Sequence, residues 1–289
     1  VKQNYFTAKK YYEKAAQMNN SYSLNNLGRL YLYGFGCAKN YTKAIEYFTS
    51  SAKLDNHYAF DNLGILYSNG YGVPKNYSIA KSYFEISAKY NNSNSLNNLG
   101  ILYMNGFGVP KDYEKAKYYF EFSIELGNLR AIYLLGDLYL RKNNFEMAKQ
   151  YFERSAKNND SSALLSLGNL YLNGNGVIKD YLRAKYYYEK ASELDNTNAL
   201  CSLGYLYLKG FGVPKDYKKA KEYYEKAGKM NNSKAFCILG YLYKNGYGVP
   251  KDYKIAKEYY EKAAFLGNSE GMYCLGNIYR KGYGVEKDY

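Results

Sequence analysis

This chain of 289 residues contains a single histidine, His57. Nucleophilic triads and multi-histidine metal centres both need imidazole placed against other reactive groups. One histidine at the start of a helical pattern supplies neither, so His57 reads as a structural or surface residue. The cysteines are Cys37, Cys201, Cys237 and Cys274. Cys201 and Cys237 occupy the same place in a sequence repeat, which separates them by one layer of packed helices, on the order of 10 Å. A disulfide needs Cα atoms within about 7 Å. Free, mostly buried thiols are therefore expected, and unpaired thiols favour a reducing compartment such as the cytoplasm.

Glycine offers a third kind of chemistry. Gly-x-Gly occurs at Gly34/Gly36, Gly70/Gly72, Gly106/Gly108, Gly174/Gly176, Gly210/Gly212, Gly246/Gly248 and Gly282/Gly284. A dinucleotide-phosphate cradle needs a preceding strand and a third glycine. Here a helical pattern precedes each pair, so these loops read as helix stops in which glycine takes the left-handed conformation. Nothing combines a nucleophile, a matched base and a charge stabiliser, and each stretch offers the same structural residues as the next. The chain is expected to be no enzyme and to use no cofactor or metal.

The formal net charge of +14 raises nucleic acid or an anionic membrane as partners. Much of that charge has another explanation. Lys9–Glu13, Lys81–Glu85, Lys117–Glu121, Lys149–Glu153, Lys185–Glu189, Lys221–Glu225 and Lys257–Glu261 are i,i+4 pairs on one helix face. They read as a solvated, charge-balanced outer face. No apolar run approaches the ~20 residues of a spanning helix, and no signal-peptide pattern opens the chain. The chain starts on Val1 in mid-helix and stops at Asp288-Tyr289 where a further helix should begin, so a piece of a longer protein is expected.

The elements that carry these residues follow one rule. A Leu-Gly pair recurs with its glycine at Gly28, Gly64, Gly100, Gly136, Gly168, Gly204, Gly240 and Gly276, in steps of 36 residues with a single step of 32. A fixed period of this size marks a repeat array, whose units bury their apolar sides by stacking on neighbours. Ser95, Leu96, Leu99, Gly100 and Tyr103 form a helical stripe, and Ala163 to Tyr171 and Ala199 to Tyr207 repeat it. A mid-helix glycine costs about 1 kcal/mol relative to alanine, so its recurrence argues that a neighbouring helix crosses closely over it. After each Gly-x-Gly come a short connector and an N-cap: Asn40, Asn76, Asp112, Asn144, Asp180, Asp216, Asp252 and Asp288. The second helix sets small residues against aromatics, as in Ala116, Tyr119, Phe120 and Ser123. It ends at a residue suited to the left-handed region: Asn19, Asp55, Asn91, Gly127, Asn159, Asp195, Asn231 or Gly267. The unit around Leu140-Arg141-Lys142-Asn143-Asn144 is four residues shorter and lacks Gly-x-Gly. A tighter turn is expected there, with a local change of curvature and no domain boundary. The reading is all-α, without strands: residues 1–289 as one array of antiparallel helix pairs, about seven full 36-residue repeats, truncated at both ends.

Leu-Gly-x-Leu-Tyr, Gly-x-Gly-Val, the Asp-Tyr cap and Lys-Ala-x-x-Tyr-Tyr-Glu-Lys-Ala-Ala together resemble the Sel-1-like repeat family, relatives of the tetratricopeptide repeats. The resemblance covers nearly the whole chain. It is specific, because a tetratricopeptide repeat has about 34 residues and no Gly-x-Gly loop. It implies a right-handed α-solenoid, or superhelix, that scaffolds protein complexes. Members act in bacterial signalling and host interaction and in quality control in the endoplasmic reticulum. Some bacterial relatives staple the helices of each repeat with cysteine pairs, and that spacing is missing here.

If the first helices line the concave side, as in the tetratricopeptide relatives, the positions that vary between repeats face a groove. One row is Asn25, Asp61, Asn97, Tyr133, Leu165, Cys201, Cys237 and Tyr273; another is Arg29, Ile65, Ile101, Asp137, Asn169, Tyr205, Tyr241 and Asn277. A protein partner, acidic and extended, is expected on Tyr133, Tyr205, Tyr241 and Tyr273, with Lys209, Lys244, Arg280 and Lys281 at the edge. Tyrosine gives large contact area for little rotamer entropy, and lysine steers an acidic segment. Asn25, Asp61 and Asn97 offer hydrogen bonds to a peptide backbone and are expected to contribute less. The alternative is single-stranded RNA stacked on groove tyrosines. Against nucleic acid stand the Lys–Glu neutralisation and the lack of a recurring basic inner position.

Overall fold

The computed structural model describes residues 4–283, which form sixteen α-helices and, among the described residues, no strand. The first helices of the pairs are α2 (Ser21–Tyr33), α4 (His57–Asn69), α6 (Ser93–Asn105), α8 (Arg130–Arg141), α10 (Ser161–Asn173), α12 (Thr197–Lys209), α14 (Ser233–Asn245) and α16 (Ser269–Lys281). The second helices are α1 (Tyr5–Gln17), α3 (Tyr41–Ala52), α5 (Tyr77–Ala88), α7 (Tyr113–Glu125), α9 (Phe145–Ala156), α11 (Tyr181–Glu193), α13 (Tyr217–Lys229) and α15 (Tyr253–Phe265).

The caps fall where the residue types require. Asp112 Oδ1 accepts from the backbone N–H groups of Glu114 and Lys115 at 3.0 and 2.9 Å, and the other expected caps from Asn40 to Asp252 behave alike. Asp288 and Gly284 lie outside the described residues. The second helices end on left-handed residues, from Asp55 at φ 55° to Gly127 at φ 82°. The next residue along is a further cap. Asn20, Asn56, Asn92, Asp160, Asn196, Asn232 and Asn268 close the N-termini of the first helices.

The recurring glycine makes room for one ring. A Cβ added at Gly64 or Gly100 would lie 2.4 Å from Cε1 of Phe84 or Phe120, and Gly28, Gly168, Gly204 and Gly240 face Phe48, Tyr188, Tyr224 and Tyr260 in the same way. The second aromatic of α3, α5, α7, α11, α13 and α15 is thus seated on the glycine of its partner helix, fully buried. The first aromatic has a different job. It stacks on the tyrosine of the first-helix stripe, as in Tyr31–Tyr47 (5.7 Å), Tyr139–Tyr151 (5.4 Å) and Tyr171–Tyr187 (5.6 Å).

Gly-x-Gly does more than stop a helix. The middle residue stacks on the first residue of the second helix one repeat earlier: Phe35 on Tyr5 (4.9 Å), Phe107 on Tyr77 (4.8 Å), Phe211 on Tyr181 (4.8 Å). The following glycine lets that backbone in, since a Cβ at Gly108 would sit 2.6 Å from Tyr77 Cβ, at φ 67°. The loop is therefore a clamp between repeats.

The chain divides into two compact units, residues 1–138 and 139–289. The division falls within α8, beside the connector that lacks Gly-x-Gly. There Asn143 takes the left-handed conformation at φ 57° and Asn144 caps α9, giving the tight turn expected from the short spacing.

Candidate protein-binding surfaces

In the second unit, α14 and α16 bring Lys244, Tyr273, Arg280 and Lys281 around one cavity of about 270 Å³, with Cys274, Asn277, Ile278 and Tyr283. Tyr273 is 72 % exposed, an anchor with its ring in solvent. Arg280 is held in place by donating to Asn277 Oδ1 at 3.2 Å, and the Lys281 ammonium lies over the Tyr283 ring at 5.7 Å. Tyr205, Lys209 and Tyr241 are exposed on first helices of the same unit but outside this cavity. Tyr205 meets Phe211 edge-on at 5.9 Å, with the Lys209 ammonium over its own ring at 6.0 Å. Tyr241 leans on Tyr247 at 5.7 Å, and loss of hydration there raises its phenol pKa. Tyr133 belongs to the first unit, on α8, and is half-buried.

The first unit has a cavity of about 480 Å³, walled by α2, α4, α6 and the start of α8. First helices line this cavity, and its chemistry is that of the carboxamide. Asn62 Nδ2 donates to Asn25 Oδ1 at 2.9 Å. Asn98 Nδ2 and Ser95 Oγ donate to Asp61 Oδ1 at 3.2 and 2.7 Å. Burial raises the Asp61 carboxyl pKa and these two donors partly offset it. The bridging residues Asn62 and Asn98 are absent from the candidate rows. The Asn-Asn, Asp-Asn, Asn-Asn pairs at 25–26, 61–62 and 97–98 are the signal that could have found them.

The remaining candidates resolve simply. All four cysteines are free. Cys237 and Cys274, one repeat plus one residue apart, have thiols within hydrogen-bonding reach, and burial pushes Cys237 up to about 12. The ring of His57 packs between Tyr58 (4.1 Å) and Tyr90 (5.6 Å). Among the described residues no cluster of His, Cys, Asp and Glu could hold a metal ion, and no helix is long and apolar enough to cross a membrane.

The Lys–Glu pairs form at every expected place, from 2.6 Å in Lys81–Glu85 to 3.7 Å in Lys117–Glu121. They are less solvated than the sequence suggests. The lysine side chains are 22 % exposed at Lys9 and 37 % at Lys117, and several ammonium groups lie over a tyrosine one repeat on, such as Lys9 over Tyr31 at 5.4 Å. These lysines therefore serve repeat stacking as well as charge balance.

Stacked antiparallel helix pairs at a recurring spacing define an α-solenoid of helical repeats. A Sel1 repeat model matches residues 1–20, 21–56, 61–91, 93–128, 161–196, 197–232, 235–268 and 269–289. The chain belongs to the Sel1 repeat family, whose general role is that of a protein-interaction scaffold. A tetratricopeptide repeat model matches residues 130–162, the short unit whose connector lacks Gly-x-Gly. No curated protein is similar enough to count as a match. Among solved structures, the c5321 protective antigen of uropathogenic Escherichia coli, described as an SLR fold, is 28 % identical with a TM-score of 0.64. The alignment covers 97 % of this chain and 61 % of that one, so this chain spans less than two thirds of that relative. A Sel1 repeat protein from Oxalobacter formigenes is 25 % identical with a TM-score of 0.65, over 93 % of this chain and 79 % of that one. A human IFIT1 dimer with PPP-AAAA, 18 % identical over 89 % of this chain and 58 % of that one, has a TM-score of 0.53 and shares the fold alone.

Proposed function

We propose that the chain is a non-enzymatic scaffold that holds an acidic, extended protein segment against its first helices. The contact centres on Lys244, Tyr273, Arg280 and Lys281, with Tyr205, Tyr241 and Lys209 extending it along the second unit. The observation that carries this reading is the convergence of Lys244, Tyr273, Arg280 and Lys281 on one cavity. An exposed tyrosine ringed by cations combines an apolar anchor with electrostatic attraction for carboxylates, and aromatic and arginine side chains dominate interface energetics. The cavity is small for a drug-sized ligand, for which about 300–1,000 Å³ is usual, and suits a single inserted side chain.

The test is affinity capture from the source cell with the native chain and with Tyr273→Ala/Arg280→Ala, followed by quantitative identification of what is retained. At least one protein is expected to fall about tenfold or more in the variant, the loss typical of a hot-spot pair. If every partner is retained while circular dichroism shows an unchanged fold, the assignment of this surface is wrong. Salt-titrated binding to mixed single-stranded RNA separates the alternative: a steep loss of affinity with salt would favour RNA.

A further inference from the structure

The carboxamide row of the first unit ends in a residue without a partner. Asn97 stands one repeat after Asp61 and two after Asn25, lines the same cavity, and is only 4 % exposed. Neither its Oδ1 nor its Nδ2 has a hydrogen-bond partner. The cause is legible in the sequence. Asp61 is served by Ser95 and Asn98 from the following first helix. One repeat later those two positions hold Ala131 and Leu134, which can donate nothing. The side chain that should complete the ladder is missing, and a buried amide left unpaired costs about 1–3 kcal/mol.

We infer that Asn97 is the main-chain anchor of a second peptide-binding site, in which an extended polypeptide segment lies along α2, α4 and α6 and completes the hydrogen bonds the fold leaves open. The inference rests on the scaffold reading for the class of partner, and it adds a site on the unit that the tyrosine candidates leave almost empty. The chemistry selects a peptide. A carboxamide presents one acceptor and one donor edge to edge, and the N–H and C=O of one residue in an extended chain complement that pair. Repeats spaced by on the order of 10 Å match three residues of an extended chain rising about 3.1 Å each, so successive row positions meet every third residue. Asn97 lines the cavity in which the main chain would be seated. A nucleic acid fits less well. Asp61 stands in the same row, and its carboxylate would face each phosphate. Arg29 and Arg130, exposed on the cavity wall, favour acidic side chains on the bound segment.

The test is selection of a displayed library of random, cysteine-free peptides against the full chain, run in parallel on Asn97→Leu and on Tyr273→Ala/Arg280→Ala. Peptides enriched on the native chain and on the Tyr273/Arg280 variant, but binding Asn97→Leu about tenfold or more weakly, support the site, two lost hydrogen bonds being about 1–3 kcal/mol. Resynthesis of one such peptide with single N-methylated residues is expected to find a position whose methyl group abolishes binding, as main-chain recognition requires. Asn97→Leu is also expected to melt higher than the native chain, because it removes an unpaired buried amide. The inference is overturned if no peptide discriminates the native chain from Asn97→Leu, if N-methylation is tolerated everywhere, or if Asn97→Leu melts lower, which would mean that the amide is satisfied within the fold. Loss of all enriched peptides in the Tyr273/Arg280 variant alone would instead assign peptide binding to the second unit and overturn the Asn97 site.

Discussion

Two tyrosines at one repeat position test how single polar atoms set stability. Tyr188 donates its hydroxyl to Asn169 Oδ1 at 2.7 Å, whereas the buried hydroxyl of Tyr224 has no partner. Phe48, Phe84, Phe120 and Phe152 fill the same place elsewhere, so the ring alone suffices for packing. Tyr224→Phe is expected to stabilise by roughly 1 kcal/mol and Tyr188→Phe to destabilise by about as much, read as opposite shifts in chemical-denaturation midpoints. Asp61 gives a pH-dependent case. Burial holds its folded pKa above its unfolded value, so the charged carboxylate burdens the fold at neutral pH, and the burden lifts as pH falls through the raised folded value. Asp61→Asn keeps Oδ1 as acceptor for Ser95 and Asn98. Thermal melts should place it above the native chain near neutral pH, by on the order of 1 kcal/mol, with the gap closing towards the ordinary carboxylate range. A gap that is constant with pH would reject the argument.

At the scale of elements, one Gly-x-Gly loop forms the clamp between repeats without its ring. Gly174-Asn175-Gly176 offers Asn175 where its counterparts offer an aromatic, although Gly176 still seats against Phe145, which a Cβ would approach to 2.4 Å. Asn175→Phe is expected to restore a ring stack on Phe145 and to stabilise the second unit by about 0.5–1.5 kcal/mol, measured by equilibrium denaturation. No gain would mean that the glycine contact, and not the ring, holds the loop. The helices, the caps of the second helices and their left-handed ends were readable from the sequence, because each rests on local chemistry that recurs with the period. The clamp was not. Tyr5 and Phe35, or Tyr181 and Phe211, are 30 residues apart and in different repeats, so periodicity announces that both are structural without saying that they touch. The caps of the first helices hid for a simpler reason: each stands directly after a left-handed Asn, Asp or Gly and is masked by it, as Asn92 is by Asn91.

For the whole molecule, charge decides which partners are kept away. Seven Lys–Glu pairs hold their partners within 3.7 Å and so offset seven lysines of the second helices in a chain of formal charge +14. Replacing the seven glutamates by glutamine adds seven positive charges. That variant is expected to bind single-stranded RNA without sequence preference and with a steep salt dependence, in filter-binding titrations where the native chain binds weakly; equal binding by both would show that the pairs shield nothing. The candidate sites were legible to different depths. Of the residues around the Tyr273 cavity, Tyr273 and Lys281 stand in the variable rows of the sequence, whereas the approach of Lys244 and Arg280 was readable only in three dimensions. The unpaired amide of Asn97 also needed coordinates, because the sequence shows Ala131 and Leu134 in the donor positions without showing that no other residue serves it. The tyrosine stacks have a consequence of another kind. With 41 tyrosines, no tryptophan and ring pairs held at 5.4–5.7 Å in repeat after repeat, the chain carries a series of closely stacked phenol pairs. Its near-ultraviolet dichroism is a built-in optical ruler, in which each layer that slips or melts dims the signal by its own share.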